Sequence, residues 1–296
     1  MRYSIYLFAC LTLLLSQGCE DRIEVTLDEA PALVTVDAWI AEIPSDWEVK
    51  LSASQAYFDS TRVQGLDEAV VTITTSTGNV YDMMPTDDSG TYSVEEDTNS
   101  FNEPVGTTYD LEILLNGITY TASTTKFPVP EIDSIQQELR IDDPFADDGI
   151  YCNFFANDLP GLGNTYWIKT FKNGEYLDDP VELNIAFDAA FGPGAEVDGL
   201  VFIQPVQELN NPVDENFAPI PWEVDEEIRV EIHSISNEAF FFLEVLRDEL
   251  LNSNNGIFAT PAANTPTNII SSDGSAVIGF FNVASVSSFT DTIRPQ

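Results

Sequence analysis

Basic residues are scarce in this sequence: 11 Lys and Arg stand against 50 Asp and Glu, a formal net charge of −39. That balance excludes a nucleic-acid binder of the usual kind, which needs a basic stripe to displace counterions. It also excludes unaided adhesion to an anionic lipid surface. Histidine is nearly absent, with His233 alone in 296 residues. Neither metal-type Cys/His spacing nor an H-E-x-x-H helix can then be built, and no Gly-rich phosphate loop or G-x-S-x-G elbow occurs. Cysteine is limited to Cys10, Cys19 and Cys152. The one apolar run near the start, Tyr3 to Leu15, is shorter than the ~20 residues that a membrane-spanning helix requires.

That run is nevertheless informative. Arg2 precedes it and Ser16-Gln17-Gly18-Cys19 follows it, the layout of an export signal. Gly18 before Cys19 resembles the lipobox of bacterial lipoproteins, with Ser16 where that motif usually carries Leu. The expectation is a lipoprotein signal peptide over residues 1–18, lipid on Cys19 and an acidic tether over 19–31. An ordinary signal peptide followed by an unmodified Cys is the alternative. Glu20 and Asp21 resemble a surface-export signal. The expected location is therefore the outer membrane, lipid-anchored at the cell surface, with the periplasmic face as the alternative. Cys152 would then be the one thiol of the mature chain, and its setting in Tyr151-Cys152-Asn153-Phe154-Phe155 reads as buried and structural.

Hydrophobic residues make up 44% of the chain and aromatics 11%, so the acid overlies ample core material. From Leu33 the apolar residues alternate: Val34, Val36, Ala38 and Ile40, then Val49, Leu51 and Ala53. Asn116-Gly117 joins Thr108 to Leu115 with Ile118 to Thr125, the signature of a type I′ hairpin. With runs at 70–75, 79–84 and 90–94, seven strands are expected. They suit an immunoglobulin-like or transthyretin-like β-sandwich over residues 32–127. Phe127-Pro128-Val129-Pro130 is a stiff break. Beyond it a second β-rich domain, 131–296, is expected, with strands at 133–141, 150–156, 165–172, 183–187, 200–203, 228–235 and 276–283. A Pro-rich loop is expected over 204–222, and one helix over 237–252, capped by Ser236. The fold class is mainly β.

Candidate chemistry is sparse. Two carboxylates at a suitable separation can hydrolyse a glycoside, but 50 acids make such pairs unavoidable. Trp39, Trp47, Trp167 and Trp222 could stack on sugar rings, and Trp167 and Trp222 are the candidate ligand contacts. Acidic groups occur at Asp87-Asp88, at Asp142-Asp143 with Asp147-Asp148, and at Asp178-Asp179. The second group is the candidate calcium loop, although it lacks EF-hand spacing and a solvated acidic loop explains it better. No cofactor and no catalytic residue are expected.

Several segments in order carry a resemblance: the lipobox cysteine, Leu33-Val34-Thr35-Val36-Asp37-Ala38-Trp39-Ile40, Gly90-Thr91-Tyr92, Gly106-Thr107-Thr108-Tyr109-Asp110-Leu111, Val129-Pro130-Glu131-Ile132-Asp133-Ser134 and Asn268-Ile269-Ile270. Asn237 to Phe242, Phe258 to Pro261 and Gly279 to Phe281 match more loosely. Together they resemble the Bacteroidetes lipoprotein family catalogued as domain of unknown function 4249. The resemblance implies a surface or periplasmic lipoprotein, often encoded beside a TonB-dependent outer-membrane receptor that is its candidate partner, and it supplies no catalytic residues. The functional expectation is an accessory or binding component of an uptake system. A surface carbohydrate-binding or adhesive protein and a carboxylate-based hydrolase are the alternatives.

Overall fold

The structure is a computed structural model describing residues 31–41, 47–55, 59, 61–86, 89–94, 103–144, 146–215, 217–252 and 265–295. The signal segment, Cys10, Cys19, most of the tether, the Asp87-Asp88 pair and the stretch Phe258 to Pro261 lie outside the described residues.

Seven strands occupy the first part of the chain: β1 (Val34–Ala41), β2 (Glu48–Ala53), β3 (Val70–Thr75), β4 (Val80–Pro85), β5 (Thr91–Ser93), β6 (Thr108–Leu115) and β7 (Ile118–Thr125). Asn116 (φ 52°) and Gly117 (φ 80°) turn β6 into β7, with Leu115 opposite Ile118. Both positive φ angles are those a type I′ turn demands. Alternation sets the faces: Val36, Ala38, Ile40, Val49, Leu51, Ile73 and Ile113 are buried in one core, while Asp37, Lys50 and Glu112 face outward.

After β8 (Ile132–Arg140), β9 (Gly149–Ala156), β10 (Thr165–Lys172), β11 (Glu175–Tyr176), β12 (Asn184–Phe187), β13 (Glu227–Ile235) and the helix α1 (Asn237–Asn252), the chain returns to that first sheet. There β14 (Ile270–Ser271) pairs antiparallel with β7, and β15 (Val277–Ala284) pairs parallel with β1. A parallel pair needs a long crossover, which the whole intervening half supplies. The sheet therefore has nine strands, in the order β14-β7-β6-β3-β4-β5-β2-β1-β15. Its two edges meet: the Asn268 amide donates to Phe281 O (2.8 Å) and accepts from Phe281 N (3.0 Å), and Thr267 Oγ1 donates to Gly279 O at 2.7 Å. The result is a sheet curled nearly closed. Residues 270–284, expected with the second half, belong to this first sheet.

The remaining strands form a sheet in the order β11-β10-β13-β16, with β12 alongside β10 and β16 spanning Val286–Thr292. The β8–β9 hairpin packs on one face through Ile135, Cys152 and Phe154 against Ile168, Val230 and Ile232. Two differences from the expected strands have local causes. Leu200 to Ile203 makes only an isolated bridge, Asn157 to Val201, because three of its four side chains are exposed and cannot anchor a buried strand. The strand β16 escaped notice because Ser287, Ser288, Thr290 and Asp291 hide its period.

Helix α1 begins as expected, with Ser236 Oγ accepting the Ala239 N–H at 3.1 Å. Its Ala239, Phe240, Phe242 and Leu243 pack against Ile185, Ile235 and Phe280. Among the described residues no helix is long and apolar enough to cross a membrane. Residues 32–296 cluster as one unit.

Candidate functional site

On β10, residues 167, 169 and 171 point away from the core that the inward residues Tyr166, Ile168 and Thr170 help to build. Across the ladder they meet β13: Trp167 lies opposite His233, Lys169 opposite Glu231 and Phe171 opposite Arg229. One face of the second sheet thus carries aromatic and charged side chains in adjacent rows. The outward face of β1 and β2 supplies the facing wall, with Asp37 and Lys50 as cross-strand partners and Trp39 and Glu48 beside them. Between the two walls runs an open groove of about 380 Å³, lined further by Tyr176 of β11. Its size falls at the lower end of small-ligand sites.

The charges in this groove are ordered. The Arg229 guanidinium sits 3.6 Å over the Phe171 ring and is ion-paired with Glu231, whose other oxygen lies 2.9 Å from His233 Nε2. Lys169 Nζ stands 4.2 Å from the Trp167 ring centroid and 5.5 Å from that of Tyr176. Lys50 Nζ is 3.6 Å from Glu48. Desolvation by the surrounding walls raises the Asp37 carboxyl above its ordinary range, against the opposing pull of Lys50 and Lys169. In a chain with so few cations, Lys50 and Lys169 line this groove together, and Arg229 stands beside it, paired with Glu231. Rings that stack on apolar faces, ammonium donors and carboxylate acceptors stand side by side, which suits a polar ligand with a flat apolar side.

Of the two candidate tryptophans, Trp167 lines the groove but Trp222 does not. Trp222 is 3% exposed and packs in the core under β8–β9, where its backbone N–H donates to Ile150 O at 2.9 Å. The β9 bridge draws it inward, so it is corrected from a ligand contact to a core residue. The candidate calcium loop is partly spent on itself: the Asp148 carboxylate accepts the Asp142 N–H at 2.8 Å, and Asp147 contributes its backbone carbonyl to Tyr151 Oη. Asp143 adds no third ligand there, since among the described residues no three His, Cys, Asp or Glu side chains converge as a metal site. Cys152 is fully buried, and burial pushes its thiol up to about 12. His233 is buried beside Glu231.

Sequence reading missed Asp37, Lys50, Lys169, Tyr176 and Glu231 as a group. The alternations Trp167-x-Lys169-x-Phe171 and Arg229-x-Glu231-x-His233 did signal one mixed face on each strand, but not that the two strands are neighbours.

Fold and groove together define a mainly β protein with a single α-helix among the described residues and an aromatic, charge-ordered cleft between two sheets. The chain belongs to the family described as a domain of unknown function, DUF4249, whose model matches residues 20–290. None of the curated proteins compared with it matches.

Proposed function

We propose that this chain is a lipid-anchored outer-membrane protein that serves as an accessory binding component of a TonB-dependent uptake system, holding cargo or receptor in the groove. The groove is the main support: Trp39, Trp167 and Tyr176 present rings among the charged side chains Asp37, Glu48, Lys50, Lys169 and Glu231. The lipobox-like Cys19 supports the anchor, and Glu20 and Asp21 support the outer leaflet. Full-length lipoprotein, solubilised from native outer membranes in mild detergent, is pulled down and its companions are identified by mass spectrometry. A TonB-dependent receptor is expected in stoichiometric amount, and its recovery falls about tenfold with the double variant Lys50→Glu/Lys169→Glu. Recovery of the lipoprotein alone, from an input that contains the receptor, rejects the reading.

One observation favours a second reading. Asp37, with its raised carboxyl, shares the aromatic groove with Glu48 and Glu231, and separated carboxylate pKa values are what glycoside hydrolysis requires. Polysaccharide cleavage that disappears in Asp37→Asn would support the hydrolase. Saturable binding of the same polysaccharide without cleavage would support a carbohydrate-binding surface instead.

A further inference from the structure

A second cavity, of about 330 Å³, lies away from the groove, between the turn at Pro180–Glu182 and the irregular segment 205–219. Three asparagines in its wall use their amide N–H groups on backbone carbonyls. Asn184 donates to Val206 O (2.9 Å) and Glu208 O (3.4 Å), Asn210 to Glu182 O, and Asn211 to Ile220 O (2.8 Å). Those bonds fix which end of each amide is oxygen, since a flipped amide would set oxygen against oxygen. Among the described residues no donor meets the three Oδ1 atoms.

Glu182 adds a fourth unmatched acceptor. Its side chain is 4% exposed; one carboxyl oxygen accepts the Asp179 N–H at 2.8 Å, and the other, Oε1, has no hydrogen-bond partner among the described residues. A buried carboxyl oxygen without a donor is costly unless something else supplies one. The cavity's other carboxylate, Glu208, is bound at 2.7 Å by Arg140, which is not part of the lining. No Lys or Arg lines the cavity.

The remaining walls are apolar and include two aromatic rings, each 47% exposed: Phe191, which carries the Arg247 guanidinium 4.5 Å from its centroid, and Phe217. Phe217 holds φ +61°, a conformation that bulky side chains avoid, with its N–H bonded to Asp214 O at 3.0 Å.

We propose that this cavity binds an organic ammonium with an apolar or aromatic body, the ammonium donating to Glu182 and the asparagine oxygens while Phe217 flanks the body. Acceptors without donors select a donor, a carboxylate without a partner selects a cation, and aromatic rings favour both the cation and its hydrocarbon. A bare metal ion is less suited, because most of the lining is hydrocarbon, whose side chains offer no ligands.

The test uses the full chain and phenethylamine as the probe, with 2-phenylethanol as its neutral counterpart, followed by calorimetry and ligand-observed NMR at pH 8. The ammonium is expected to bind saturably and at least about tenfold more tightly than the alcohol. Glu182→Gln should erase that preference while retaining the acceptor for Asp179 N–H, and Phe217→Ala should weaken both ligands, with circular dichroism confirming the fold of each variant. Lys169→Glu in the groove should change neither. Absence of binding, equal affinity for amine and alcohol, or a preference that survives Glu182→Gln overturns the proposal.

Discussion

Trp39 and Trp167 meet edge to face, with ring centroids 5.2 Å apart and planes at 79°. Trp39 also stacks on Phe280 at 5.7 Å and touches Phe242 at 5.8 Å, so one side chain ties β1 and β15 to α1 and to the second sheet. Trp39→Ala should cost about 3–4 kcal/mol, as large-to-small changes at packed aromatics do. Urea unfolding followed by circular dichroism checks it; a loss below about 1 kcal/mol would show that this contact does not join the two sheets.

Gly279 is required where β15 meets β1. It has φ +109°, and a Cβ there would lie 1.8 Å from Val36 O, inside the backbone of its register partner. Backbone cannot yield as a flexible side chain can. Gly279→Ala should therefore break the parallel pair locally and lower stability by more than about 3 kcal/mol. Hydrogen exchange of the β1 and β15 amides would report the opening, while Gly117→Ala, with open space around its Cβ, should leave those amides protected.

Glu103 gathers a buried network. It accepts from Asn79 Nδ2 (2.5 Å), Thr77 Oγ1 (2.8 Å) and Tyr81 Oη (3.2 Å), while its backbone carbonyl takes the Lys126 ammonium at 2.5 Å. Burial pushes the carboxyl up, but bonds from Asn79, Thr77, Tyr81 and Thr75 outweigh it and leave the group below its ordinary value. A lowered folded pKa contributes stability that is present above the unfolded value and lost as pH falls through the folded one. Glu103→Ala should cost about 2–3 kcal/mol at neutral pH and flatten the acid side of the stability profile. An unchanged acid slope would contradict the network's role.

Glu182 should act in the opposite direction. Burial, against the Asp179 N–H bond, raises its carboxyl to about 7, so the folded protein retains a proton that the unfolded chain has released. The stabilisation is complete below the ordinary carboxylate pKa and is lost as pH rises through about 7, on the order of 2–3 kcal/mol. Melting temperature measured between pH 4.5 and 8 should decline on this account, and Glu182→Gln should remove that part of the decline. A variant profile parallel to that of the parent would refute the assignment.

Much of this was legible along the chain. Alternation at Val34 to Ile40, the Asn116-Gly117 turn and the Ser236 cap are local signals, because strand faces, turn dihedrals and helix ends are each set by a few adjacent residues. Trp167, together with Trp222, is singled out for its amphipathic ring alone. Trp222 could not be told from it, since its burial is decided by distant packing partners such as Ile150 under the β8–β9 hairpin. The acceptor-only character of Asn184, Asn210 and Asn211 was equally hidden, as it depends on which distant carbonyls hold each amide.

The sequence by itself determined the class: a strongly acidic, mainly β chain with one helix, its strands defined by period-two burial and its turns by glycine and asparagine. Tertiary structure alone decided that β15 returns to pair with β1, that the first sheet curls until Asn268 joins its edges, and that Asp37 and Lys50 face Lys169 and Glu231 across a groove. The physical reason is range: periodicity and turn chemistry act over a few residues, whereas strand partners and facing walls are selected by burial and hydrogen bonding between segments that are not neighbours along the chain.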